Sequence, residues 1–367
     1  MAPVEVDIEM SLIPVTVLTG FLGAGKSTLL NHLLRHPAMG ETAVVVNEFG
    51  EIGLDHLLVK RVDEDVVLLN AGCLCCTVRS DMVDALRDLF LKRVRGDVPE
   101  FQRVAIETTG LADPAPIIHT LMTDPLVGAR FRLDGVVTLV DAVNGMGQLD
   151  RHAEAVKQAA VADRLVLTKT DLADAETIAA LKDRLRALNP AAPLLEAIEG
   201  DIDPDALLDC GLFTSDGKAP DVARWLREEA YADSHDHDDH DHDHDHHGHD
   251  HGHHHHDHHH DVNRHDSHIA SFCLTYDTPI VWDRFVDAME MLIASKGEDL
   301  LRVKGILNVA EQERPIAVHG VQHVFHPPVP LPEWPSAERT SKLVFITRDL
   351  GRETVEKLLN EVLNGEV

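Results

Sequence analysis

Residues 20–27 read Gly-Phe-Leu-Gly-Ala-Gly-Lys-Ser, between a β-branched run from Val15 to Leu18 and a stretch from Lys26 to Leu34 with leucines at 29, 30, 33 and 34. The order is strand, glycine loop, helix. The spacing fits G-x-x-x-x-G-K-[ST] in the context that pattern requires. Glycines let successive backbone N–H groups turn toward one anion, and the start of the helix adds partial positive charge. Gly20, Phe21, Leu22, Gly23, Ala24, Gly25, Lys26, Ser27 and Thr28 are therefore the expected cradle for a nucleotide's phosphates. Lys26 would reach the terminal phosphates as a catalytic cation, and the Ser27 hydroxyl would be offered to Mg2+.

Working outward, short apolar runs recur at 43–46, 66–69, 104–106, 136–140 and 165–167, with helical patterns from Asp81 to Val94 and from Ala153 to Ala162. Strands separated by helices favour a mainly parallel sheet covered on both faces, so residues 12–214 are expected to form an α/β P-loop NTPase domain. The composition then changes abruptly. Residues 233–268 hold 18 of the 26 histidines, 11 aspartates and one arginine, too little apolar matter for a core. Residues 215–267 are read as a linker containing this metal-binding run. With its histidines neutral the run carries −10, and full protonation would make it +8, so it changes sign near the reference histidine pKa of about 6.5. Ordinary complexity returns with an alternating run from Ile269 to Tyr276, a helix from Trp282 to Ala294, strands at 301–309, 315–325 and 342–347, and a helix from Arg352 to Leu363. Residues 268–365 are expected to be a smaller C-terminal α+β domain.

Two segments bear on which nucleotide is bound. Thr168-Lys-Thr-Asp171 follows the 165–167 strand, where the Asp171 carboxylate could accept both N1–H and N2–H of guanine while the Lys169 stem lies along the base. Adenine has no such donor pair. Glu107-Thr-Thr-Gly110 follows the 104–106 strand, which sets an acid near Mg2+ and a glycine N–H where a γ-phosphate would be sensed. GTP with Mg2+ on Ser27 and Glu107 is the reading these segments favour.

Five cysteines is an odd number, and Cys73, Cys75 and Cys76 crowd into a loop before the helix near Asp81. Soft thiolates favour Zn2+, and three of them leave a fourth position open for an exchangeable ligand. Glu48, after the 43–46 strand, is a further candidate ligand. Co2+ and Ni2+ would also suit the histidine and aspartate run. Cys210 and Cys273 lack any partner spacing and are read as small buried residues, and His119 is read as packed. A formal charge of −30 repels nucleic acid and anionic membranes, and no stretch approaches the roughly 20 apolar residues of a membrane span. The acidic N-terminus is unlike a signal peptide, so a reduced, cytoplasmic setting is expected.

Taken together, GFLGAGKST at 20–28, VNEFGEIGLD at 46–55, GCLCC at 72–76, ETTGLADP at 107–114, DGVVTLVDAV at 134–143 and TKTD at 168–171 resemble the CobW-type GTPases, relatives of the UreG and HypB nickel-insertion GTPases. The resemblance spans nearly the whole chain, including a histidine-rich linker and a C-terminal α+β domain. It implies a metallochaperone that hydrolyses GTP and passes Zn2+, in some members Co2+, to a client metalloprotein. It leaves self-association into a homo-oligomer open. The family pattern has Asn at the first base-recognition position, where this chain has Thr168. Two other classes fit the phosphate loop or the metal ligands alone: a small-molecule kinase, and a metal storage or buffering protein.

Overall fold

The structure is a computed structural model that describes residues 12–46, 67–70, 78–208, 210, 268–310, 312–334 and 337–365; for 67–70 and 78–81 only the backbone is described. Cys73, Cys75, Cys76, Glu48 and residues 233–267 of the histidine run fall outside them.

Seven strands form the first sheet in the order β3-β2-β4-β1-β5-β6-β7, where β1 is Ile13–Gly20, β2 Thr42–Val46, β3 Val67–Asn70, β4 Arg103–Glu107, β5 Phe131–Asp141, β6 Arg164–Thr168 and β7 Leu194–Ala197. Every neighbouring pair among them is parallel. The alternation of strand side chains explains why both faces are covered. Val15, Val17, Ala43, Val45, Val104 and Ile106 point to one core, built against helices α2 (Val78–Arg95) and α3 (Ala115–Thr123). Leu18, Val44, Ala105, Val137 and Leu139 point to the other, under α1 (Lys26–Leu33). Among the described residues, four more helices lie in the connections: α4 (Pro125–Gly128), α5 (Gly145–Arg151), α6 (Ala153–Ala160) and α7 (Ala175–Leu188). The expected strands and helices are present, and Leu194–Ala197 adds an edge strand.

The C-terminal sheet is antiparallel, in the order β11-β10-β9-β13-β8 with β12 on β10. Its strands are β8 (Ile269–Tyr276), β9 (Leu300–Leu307), β10 (Ile316–Val321), β11 (Val324–Phe325), β12 (Val329–Pro330) and β13 (Ser341–Arg348). Helices α8 (Trp282–Lys296) and α9 (Arg352–Leu363) cover one face, where Phe272, Leu274, Val303, Leu343 and Phe345 meet Met289, Leu292 and Leu359. The single strand expected at 315–325 is a tight hairpin. Gln322, at φ 53°, reverses the chain between β10 and β11.

The opposite face of this sheet rests on the nucleotide-binding domain. Leu301 and Ile346 pack on Ala160, Cys273 and Val344 share a cluster with Ala191, and Val321 joins the core under α3. His119 is packed here, as expected, its Nε2 2.8 Å from the Val321 carbonyl oxygen. Asp163 lies at the centre of the contact. Its carboxylate accepts from Arg302 at 2.5 Å, from Lys304, and from the Val136 N–H at 2.9 Å. Burial alone would raise its pKa, but the Arg302 and Lys304 charges hold it well below the usual carboxylate range. Burial lowers Lys304 to about 8, with Arg302 pushing the same way and Asp163 opposing. His319, buried beside them, is held well below its ordinary value by desolvation and by the same two cations.

Candidate nucleotide site

The carboxyl ends of the parallel strands carry the site, where loops leave the sheet and α1 presents its N-terminus. Gly25 is the N-cap of α1 with φ 89°, a left-handed conformation that turns the loop into the helix and that a side chain would strain. Lys26 is buried, and its Nζ donates to the carbonyls of Gly20 at 2.8 Å and Phe21 at 3.3 Å, which curls the loop around its own ammonium. The adjacent Ser27 hydroxyl donates to Glu107 Oε1 at 2.7 Å, joining the start of α1 to the end of β4. A second bond, from Thr108 Oγ1 to Thr19 Oγ1 at 2.8 Å, ties the residue after β4 to the end of β1.

Gly110 lies against the loop. A Cβ at this position would come within 2.7 Å of the Leu22 Cα and N, so only glycine permits this approach. The expected pair of Glu107 and Gly110 is therefore brought to the phosphate loop from one connection.

The segment expected to recognise the base sits beside it. Thr168 ends β6, and its hydroxyl donates to the Ala24 carbonyl at 2.9 Å, anchoring this segment to the phosphate loop. Lys169 adopts φ 58°, and its Nζ donates to Asp141 Oδ2 at 2.7 Å. Burial pushes the Asp141 carboxyl up, but bonds from Lys169, Asn144 and the Val143 N–H outweigh it and keep the group ionised. Asp171 is exposed in the following turn, Thr170–Leu172. Asp141 carried no expected role. An acid closing the longest apolar strand of a parallel sheet is the signal that could have singled it out.

Cys210 and Cys273 are buried, as expected, and burial raises the Cys210 thiol well above its ordinary value. Among the described residues no group of three or more His, Cys, Asp or Glu could hold a metal ion, and no helix is long and apolar enough to cross a membrane.

Residues 14–196 match the family described as CobW/HypB/UreG, nucleotide-binding domain, and residues 269–363 match the cobalamin synthesis protein cobW C-terminal domain. Zinc chaperone YjiA of Escherichia coli (strain K12) is 33% identical over 347 residues, 94% of this chain and 97% of that protein. This chain belongs to the CobW family. Zinc-regulated GTPase metalloprotein activator 1 of Saccharomyces cerevisiae is 27% identical over 386 residues, covering 97% of this chain and 84% of that one. The crystal structure of Zn(II)-bound YjiA GTPase from E. coli superposes with a TM-score of 0.66 at 27% identity, covering 96% of this CobW-family chain and 99% of the other.

Proposed function

We propose that this CobW-family protein is a GTPase metallochaperone that carries Zn2+ at Cys73, Cys75 and Cys76, with Glu48 as a further ligand, and hands it to a client metalloprotein. One observation carries the reading. The Ser27–Glu107 bond of 2.7 Å links the phosphate loop to the strand end that leads into Gly110, so one nucleotide can address both. The residues present fit GTP and Mg2+. Gly20 to Thr28 would receive the phosphates on backbone N–H groups, and Asp171 would take the guanine edge while the Thr168 hydroxyl fixes the segment that carries it. Ser27 and Glu107 would hold Mg2+, whose chemistry is to neutralise charge on the β- and γ-phosphates. Lys26 keeps a desolvated positive charge where the transferred group's charge develops, and Gly110 senses whether the γ-phosphate is there.

In the cycle, GTP holds the 107–110 connection and the 47–55 segment in one arrangement that shapes the thiolate site. Hydrolysis releases it, and Zn2+, the cargo, is let go. By linkage GTP tightens zinc by the same factor that zinc tightens GTP. The relatives named as zinc chaperones and a zinc-regulated GTPase activator support zinc as the metal. The test is competition with a chelating dye for zinc in the GDP state and with a non-hydrolysable GTP analogue, using protein lacking 233–268. Tighter zinc with the analogue, lost in Cys75→Ala with Cys76→Ala, is expected. Equal affinity in the two states refutes the coupling, and unchanged affinity in the double variant refutes the ligands.

A further inference from the structure

One short helix touches the phosphate loop, the connection that holds Gly110, and the C-terminal sheet. Helix α6 has eight residues and is about 12 Å long at 1.5 Å per residue. At its start, the ring of His152, its N-cap residue, stacks on Phe21 of the phosphate loop, with centroids 4.5 Å apart. Midway, Lys157 Nζ bonds Asp113 Oδ2 at 2.9 Å. The next residue, Gln158, is 1% exposed, and its Nε2 donates to the carbonyls of Ala112 at 2.9 Å and Gly110 at 3.4 Å. At its end, Ala160 packs on Leu301 and Ile346 of the C-terminal sheet. Asp163, three residues on, holds Arg302 and Lys304.

The helix is fixed as a unit. Asn189 Nδ2 donates to the carbonyls of Ala159, Ala160 and Ala162 at 2.9 to 3.1 Å, and the Gln158 carbonyl accepts from Thr138 Oγ1 at 2.7 Å. Its outer side borders a cleft of about 480 Å³ against the C-terminal domain, lined by His152, Lys157, His268 and Arg348, so the two domains are not in continuous contact along it. A stiff element that borders a cleft has room to shift as a body.

We infer that α6 is the lever that couples the Gly110 loop to the C-terminal domain, with Gln158 as the positioning residue that sets that loop for hydrolysis. This deepens the proposed function and rests on its assignment of Gly110 as the γ-phosphate sensor. When Gly110 moves, its carbonyl and that of Ala112 pull on the Gln158 amide. The helix then carries the displacement to Ala160 and the Asp163 cluster. Gln158 does not touch the nucleotide. It acts by fixing the backbone of a loop that does.

The test uses the full chain without zinc. Gln158→Met keeps the volume and removes the donor, and is expected to lower kcat roughly 10- to 100-fold while KM for GTP moves less than about two-fold. Lys157→Ala, at a partly exposed position, should shift kcat the same way by less. In the wild type, amide exchange in β9 and β13 should differ between GDP and a non-hydrolysable GTP analogue, and in Gln158→Met that difference should vanish. Unchanged kcat in both variants, a matched loss of kcat, KM and melting temperature in Lys157→Ala, or identical wild-type exchange in the two nucleotide states would each overturn the lever. Equal zinc affinity in the two states would remove the metal coupling and leave the lever standing, which separates the two failures.

Discussion

Two lysines, Lys26 buried and Lys304 partly so, stand at opposite ends of the parallel sheet, and their surroundings differ in kind. Lys26, just past the carboxyl end of β1, donates to the carbonyls of Gly20 and Phe21. Lys304, on the C-terminal sheet, meets the opposite end at Asp163, whose carboxylate also takes Arg302 at 2.5 Å. Neutral carbonyls satisfy an ammonium's donors without cancelling its charge, whereas a carboxylate does both. The first arrangement closes the phosphate loop around its cation. The second uses a comparable cation to hold two domains together. Low exposure alone does not separate receptor from rivet; the place of each cation in the fold does.

The largest expected effect comes from breaking the second end. Asp163→Ala takes from buried Arg302, and from its neighbour Lys304, the carboxylate they share, and should cost about 3–5 kcal/mol of stability, read by denaturant unfolding. Replacing all three residues with apolar side chains of similar size should recover most of that loss.

At the first end, Lys26→Ala should reduce GTP turnover by roughly 10²- to 10³-fold, measured as phosphate release, with a melting temperature close to wild type. A large loss of stability in this variant would put Lys26 in the same class as Lys304 and dissolve the contrast.

Acid should distinguish the ends as well. A carboxyl whose folded pKa is depressed contributes stability that is complete above its unfolded value, about 3.9, and is lost as pH falls toward the folded value. Asp163 is such a group. The stability gap between wild type and Asp163→Asn should therefore be flat from about pH 5 to 7 and close below about pH 4, followed by fluorescence-detected unfolding across that range.

The smallest effect is expected at Thr168. Thr168→Ala removes one hydrogen bond to the Ala24 carbonyl, so KM for GTP should rise about five- to ten-fold, near 1 kcal/mol, with kcat little changed. Steady-state kinetics decides it.

The first end was legible in the sequence because its information is local. The glycine spacing, the strand before it and the leucines after it lie within 20 consecutive residues, and the loop folds on itself around Lys26. The second end was not. Arg302 and Lys304 alternate along β9 in the manner of a wet strand face, and only the domain packing puts Asp163 opposite them, 139 residues away in the chain. The β10–β11 reversal was hidden for another reason: Gln322 takes a positive φ where the sequence offers no Gly, Pro or Asn at the bend. Strand β7 was missed because four residues, one of them Glu196, give too short an alternation to register. The thiolate and Glu48 readings concern residues outside those described.

The separation of 139 positions from Asp163 to Arg302 also sets a schedule. At roughly 5–20 residues per second of synthesis, the carboxylate leaves the ribosome about 7 to 28 s before its guanidinium partner. Over that interval a nascent first domain would display Ala160 and its neighbours with nothing yet to cover them. A solvated anion beside that patch discourages other chains from sticking to it. The group that later clasps the finished protein would first serve as its guard against aggregation.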